Sequence, residues 1–117
     1  MTDLRTHMAI AVIDTDVSTT IFSVVACQGL VLVAIELPDT FAGTALTFEG
    51  DTDGDGTYQD IYDNAGNQVS WTVAVSRFVV PTAGSALLAG MVNLRITSGS
   101  AEADGTELKL HFAKTNP

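Results

Sequence analysis

The sequence predicts an all-β fold, a single antiparallel β-sandwich of jelly-roll type with about eight strands and an N-terminal arm. Short runs rich in Val, Ile, Thr and aromatic residues recur between clusters of Gly, Asp, Asn, Ser and Pro, whereas apolar residues at helical spacing are hard to find. Three of these runs have the period of two that a half-buried strand requires. Their apolar members are Val69, Trp71, Val73 and Val75; Val92, Leu94 and Ile96; and Leu108, Leu110 and Phe112.

The first 18 residues stand apart from this pattern. Residues 8–13 are apolar between polar flanks, and no partner strand for them is evident in the sequence. We therefore expect residues 1–18 to form an arm or an added edge strand, and residues 19–117 to form the sandwich domain. An arm of this kind can add a strand to a neighbouring subunit. Its candidate partner-binding residues are Met8, Ile10, Val12 and Ile13.

The next two runs, residues 21–26 and 30–37, are apolar on both faces. This pattern predicts two strands at the centre of the sandwich. Gln28 and Gly29 lie between the two runs and predict a tight hairpin that pairs them.

Turn residues divide the rest of the chain. Leu46 and Phe48 predict a strand with one buried face, and residues 63–67 predict a turn between strands at 58–62 and Val69, because Asn and Gly tolerate positive φ. Three further segments follow: a break at 81–84, a helical turn at 87–90, and a polar, flexible connection at 98–105.

Composition excludes several classes of partner. The chain has 117 residues, which supports one domain, and 46% of them are hydrophobic against 16% charged, so we expect it to fold. Its net charge of −9 opposes binding to nucleic acid and to anionic membranes, and favours cations or a basic protein surface. The apolar run 21–37 is interrupted by polar residues and is too short for a membrane span, and the N-terminus has no signal-peptide pattern.

The single cysteine and the absence of catalytic motifs in the sequence indicate a binding protein. Cys27 is the only cysteine, so neither an internal disulfide nor a cysteine-based zinc site can form, and we expect it to be buried. No nucleophile elbow, phosphate-binding Gly loop or His-based metal spacing is present. His7 and His111 are expected on the surface and Trp71 in the core. We do not expect an enzyme.

One motif has chemical content. Asp51, Asp53 and Asp55 alternate with small residues and precede Gly56, as in the first half of a calcium-binding loop. Tyr62 stands where such a loop has its bidentate Glu, and no helices flank the segment. Glu49, Asp60 or Asp63 could substitute as ligands. Asp and Gly are equally the preferred residues of an exposed hairpin tip, so both a calcium site and a plain turn stay open.

Several segments between Leu30 and Phe112 together resemble small proteins encoded near the capsid genes of tailed bacteriophages. They are Leu37-Pro38, residues 41–48, an Asp-Gly turn, Thr57-Tyr58, residues 61–63, Gly66, Thr72-Val73, Ser76-Arg77, Ala89-Gly90 and residues 94–101. The C-terminal half is also similar to galactose-binding-like sandwiches.

The resemblance implies a virion component that needs no cofactor, on a particle assembled in the host cytoplasm. Such a protein is expected to be a capsid decoration protein or the base of a head fibre, and to bind the major capsid protein or another virion protein and its own copies as a homo-oligomer. The alternative is a calcium-assisted carbohydrate-binding module, since jelly-roll sandwiches often carry such sites; fold alone does not decide between them.

Overall fold

The structure, a computed structural model, describes residues 6–80 and 91–114. Within these residues the chain is all-β, with nine strands in two antiparallel sheets and no helix, which confirms the predicted fold class. Nothing in this part of the chain forms a helix that could span a membrane. The strands are β1 (Thr6–Val12), β2 (Val25–Ala26), β3 (Leu30–Glu36), β4 (Ala45–Asp51), β5 (Gln59–Asp60), β6 (Ser70–Thr72), β7 (Phe78–Val79), β8 (Asn93–Ser98) and β9 (Glu107–Lys114).

The first sheet has the strand order β1-β9-β3-β7. Strand β9 is central, with β1 on one side from Thr6 opposite Ala113 to Val12 opposite Glu107, and β3 on the other. The second sheet has the order β2-β8-β4-β5. Strand β6 also pairs with β4, on the same side as β5 but nearer the start of β4.

Alternating apolar residues of both sheets form one core. The predicted inward-facing residues of β4, β8 and β9 are buried, and Trp71 packs edge-on against Phe48 with ring centroids 5.2 Å apart. The alternation that begins at Val69 stops early, because β6 ends at Thr72 and Val75 is therefore exposed rather than buried. The central core residues are Leu46, Phe48, Leu94, Ile96, Leu108, Leu110 and Phe112.

The expectation of a central strand at 21–26 is wrong. Only Val25–Ala26 is a strand, at the edge of the second sheet, and Ile21 and Val24 are exposed. Gln28 and Gly29 do not join a hairpin either, because β2 pairs with β8 whereas β3 pairs with β9. The chain crosses here from one sheet to the other, in a turn where Gly29 has a φ of 78°.

The turn predicted at 63–67 is confirmed. Tyr62 and Gln68 form an isolated antiparallel bridge, and the N–H groups of Ala65 and Asn67 both donate to Asp63 Oδ1, at 2.9 and 3.0 Å. The segments 81–84 and 87–90 lie outside the described residues.

The connection at 98–105, expected to be flexible, is held by hydrogen bonds to residues 13–20. The N–H of Glu102 donates to the carbonyl of Thr19 at 2.7 Å, and Gly105 N–H donates to the carbonyl of Ile13 at 2.9 Å. The Glu102 side chain is buried.

Candidate functional site

The acidic loop follows β4 and is folded around Asp51, whose side chain is fully buried. Asp51 Oδ1 accepts hydrogen bonds from the N–H groups of Asp53, at 3.2 Å, and Gly54, at 2.9 Å. Asp51 Oδ2 accepts from the N–H of Gly56 at 2.9 Å and from Asn93 Nδ2 at 3.4 Å. This carboxylate therefore determines the path of the loop.

The other two predicted ligands repeat the same local bond on the surface. The N–H of Asp55 donates to Asp53 Oδ1 at 3.2 Å, and the N–H of Thr57 donates to Asp55 Oδ1 at 2.8 Å. Asp53 and Asp55 are exposed, and one carboxylate oxygen from each of the three aspartates lies within 4.8 Å of the others. The structure thus brings together all three predicted ligands, beside a shallow cavity of about 220 Å³.

The electrostatics of the loop differ between its inner and outer carboxylates. Burial raises the pKa of Asp51, but the hydrogen bonds from Gly56, Gly54, Asp53 and Asn93 outweigh it and lower this pKa to about 2. At Asp53 the N–H of Asp55 lowers the pKa, yet the neighbouring Asp55 carboxylate, burial and Asp51 raise it, and the net shift is upward. Repulsion between carboxylates this close is what a divalent cation relieves.

Two of the three substitute ligands are engaged elsewhere. Glu49 forms a bidentate ion pair with Arg95, in which Glu49 Oε2 lies 2.8 Å from Arg95 Nη2. The Arg95 guanidinium also packs over the ring of Tyr58, 4.5 Å from the ring centroid. Asp63 accepts bonds within its own turn. Among the described residues the carboxylates that lie close enough together to share one ion are therefore the three loop aspartates, with Asp60 outside that cluster.

The predicted partner-binding residues lie on β1 and just after it, and they differ in exposure. Met8 is 57% exposed and Ile10 44%, whereas Val12 is half-buried and Ile13 is fully buried in the core. Because residues 6–12 pair with β9 of the same chain, the structure has the edge-strand form of the two alternatives. Ile13 is therefore a core residue in this structure.

Sequence reasoning missed Phe78, which is 57% exposed on β7. Its ring lies beside that of His111, with centroids 5.1 Å apart, and His111 stands opposite Met8 in the β1–β9 register. These residues share one surface with Glu36, which stands opposite both Phe78 and Lys109. We call this surface the outer face of the first sheet: Met8, Ile10, Glu36, Phe78, Lys109 and His111. The signal available in the sequence was a large aromatic residue directly after Arg77 in a run too short to be buried on both faces.

Sequence reasoning also missed Glu102, which links two distant loops. Its Oε1 accepts from the N–H of Ala42 at 2.8 Å, and its Oε2 accepts from the N–H of Gly43 at 2.9 Å and from Ser98 Oγ at 2.8 Å. Every one of these donors is satisfied by a single carboxylate, so Glu102 has a structural role.

The chain was also compared with known proteins. A scan against protein-family models, a search of curated proteins and a search of solved structures each return no match.

Proposed function

We propose that this chain is a non-enzymatic virion structural protein of a tailed phage, a capsid decoration or head-associated protein that binds the major capsid protein and its own copies. The sequence resemblance to phage proteins supports this assignment. The single structural observation in its favour is that exposed apolar side chains collect on the outer face of the first sheet, where Met8 and Phe78 lie on either side of His111. Exposed apolar groups on one face are typical of a protein-binding surface.

Charge supports the choice of this face for contact with another protein. The acidic loop around Asp51 lies in the second sheet, whereas Lys109 and His111 lie on the outer face of the first. One carboxylate does lie on this outer face: Glu36 stands opposite Phe78 and Lys109, with its Oε1 3.6 Å from His111 Nε2. A partner that covers Met8, Ile10 and Phe78 therefore also meets Glu36, a carboxylate that lies beside His111 rather than alone.

Co-sedimentation with heads assembled from the major capsid protein encoded in the same genome tests the proposal. We expect the wild type to sediment with the heads, and Phe78→Lys to reduce binding at least tenfold because it places a charge in the contact. The matched control is Val17→Lys, which changes the most exposed valine at a position away from this face and should bind as the wild type does. A wild type that stays in the supernatant contradicts the proposal.

The acidic loop favours a second candidate, a calcium-assisted carbohydrate-binding module. The observation behind it is the approach of three carboxylates to within 4.8 Å, with Asp53 and Asp55 exposed. Calcium titration by calorimetry, with the melting temperature as a second measurement, tests the ion. We expect binding to be lost in Asp55→Asn and kept in Asp39→Asn, an exposed aspartate outside the loop. Calcium-dependent binding to a glycan array would favour this candidate, and no heat with an unchanged melting temperature would exclude it.

A further inference from the structure

Strand β1 has a free edge, and the hydrogen bonds at its end show which residues direct their backbone groups to that edge. Val12 N–H donates to Ser23 Oγ at 3.0 Å, and its carbonyl accepts from the N–H of Ser23 at 2.9 Å, on the side away from β9. Ile13 turns the other way, with its N–H bonded to the carbonyl of Thr106 at 2.9 Å. Since the backbone groups of successive residues alternate sides in an antiparallel strand, those of Thr6, Met8 and Ile10 point to the open side.

No described residue bonds to the backbone groups of Met8 and Ile10. The register of β1 with β9 is continuous from Thr6 to Val12, so no bulge changes the alternation. The edge therefore presents N–H and C=O groups at the spacing of a strand, which is a template for pairing with another strand.

The other sheet edges among the described residues are short. Strands β2, β5 and β7 have two residues each and β6 has three, whereas β1 has seven. Short strands are one of the ways in which proteins prevent edge pairing, and proline or charged residues are others. Strand β1 contains none of these, since its sequence is Thr-His-Met-Ala-Ile-Ala-Val. In a chain of net charge −9 this is an edge at which two copies can meet without opposing carboxylates.

We propose that β1 pairs antiparallel with β1 of a second copy, so that the two first sheets form one continuous sheet of eight strands, four from each copy. The inference rests on the proposed function, because it specifies how the copies of a virion protein contact one another. The pairing joins identical surfaces about a two-fold axis, the commonest symmetry of homo-oligomers.

The position of Ser23 limits the register. Ser23 occupies the open side of Val12, so a partner strand can pair with residues 6–10 but not beyond residue 11. Among two-fold pairings within this range, the one that uses all of residues 6–10 places Met8 opposite the partner's Met8 and Thr6 opposite the partner's Ile10. All of these residues direct their backbone groups to the open side, so each pair can exchange two hydrogen bonds.

An interface of five residues on each strand is small. It buries less than the roughly 1,200 Å² of a standard interface, so we expect weak association in solution. On a particle that holds copies side by side, the effective concentration is high and weak contacts are sufficient.

Sedimentation equilibrium of the full chain from about 10 µM to about 1 mM tests the proposal. We expect a reversible monomer–dimer equilibrium for the wild type. Met8→Pro should stay monomeric with the same circular dichroism spectrum, because proline removes an N–H that points away from β9 and leaves the β1–β9 bonds in place. The matched control Met8→Ala keeps the N–H and should still dimerise. A monomeric wild type at every concentration, or a Met8→Pro variant that dimerises as the wild type does, overturns the proposal.

A cysteine variant keeps the test decisive if Met8→Pro does not fold. The native Cys27 is buried, and burial raises the pKa of its thiol, so it is a poor competitor. Under mild oxidation Met8→Cys should form a disulfide-linked dimer, since opposite residues of paired strands lie within disulfide range. Val17→Cys, on an exposed position off the edge, should not. Equal cross-linking of the two variants would contradict the register.

The outcomes of these experiments distinguish the dimer proposal from the proposed function. A wild type that sediments with heads but never dimerises would remove this inference and leave the proposed function. A wild type that dimerises in solution but does not bind heads would do the reverse.

Discussion

Two carboxylates, those of Asp51 and Glu102, are both buried and both accept several hydrogen bonds from backbone N–H groups. Asp51 takes its backbone bonds from residues two to five positions later in its own loop. Glu102 takes its backbone bonds from Ala42 and Gly43, about 60 positions earlier, and adds Ser98 Oγ. The first carboxylate shapes a loop and the second joins two loops. Loss of Glu102 should therefore disturb more of the molecule than loss of Asp51.

The largest effect is expected for Glu102→Ala. It leaves three donors without an acceptor in a site where the native side chain is only 4% exposed, so we expect a loss of about 3 kcal/mol in the free energy of unfolding. Urea denaturation measures this. The control Glu107→Ala removes an exposed carboxylate from the start of β9 and should change stability by less than about 0.5 kcal/mol. Equal effects of the two substitutions would remove the structural role assigned to Glu102.

Gly43→Ala tests the same junction without removing a hydrogen-bonding group. An added Cβ would lie 2.6 Å from Ser98 Oγ and 3.3 Å from Glu102 Oε2, so the buried bonds must shift. We expect a loss of about 2 kcal/mol, in the range of other overpacking substitutions. Gly99→Ala is the control, because its Cβ would meet nothing closer than 3.6 Å. A melting temperature for Gly43→Ala that matches this control would show that the junction is loose.

Asp51→Asn should destabilise the protein less than Glu102→Ala at pH 7, with a distinct dependence on pH. The pKa of Asp51 is lowered to about 2 in the folded state, so its stabilisation is complete above the ordinary pKa near 4 and is lost as the pH falls through about 2. The stability difference between wild type and variant should shrink between about pH 4 and pH 2. Urea midpoints measured at several pH values check this, and a difference independent of pH in that window would contradict it.

The smallest effect is expected for Gly56→Ala. Gly56 has a φ of 83°, and no heavy atom lies within 4 Å of the position that the alanine methyl group would take. Only backbone strain therefore opposes the substitution, at about 1 kcal/mol. The N–H that donates to Asp51 is kept. Gly56→Asn should cost less, because asparagine tolerates this conformation better. Thermal denaturation of both variants tests the order, which fails if alanine is the milder change.

The same contrast explains what the sequence could predict. Asp51 was found because its partners are within five residues and form a recognisable Asp and Gly spacing. Glu102 was not, because residues 98–105 look like any polar connection until residues 42 and 43 are placed beside them. Alternation likewise predicted the inward faces of β4, β8 and β9 correctly.

Alternation fails where both faces are apolar. Residues 21–26 have the composition of a central strand, yet the chain there runs along an edge and then crosses between the sheets at Gln28 and Gly29. Phe22 and Val25 are buried there but Ile21 and Val24 are exposed, and the apolar composition alone does not distinguish such an edge segment from a central strand. The partner of β1 was not predicted for a different reason, its distance in the sequence, since Thr6 pairs with Ala113.

The central place of β9 in the first sheet also has a consequence for biosynthesis. Strands β1 and β3 both depend on β9 for their pairing, yet β9 is the last of the described strands to be translated. Strands β1 and β3 therefore stay unpaired with β9 until residues 107–114 have been synthesised. Pairings between residues this far apart in the sequence, such as Thr6 with Ala113, favour slow closure of the first sheet.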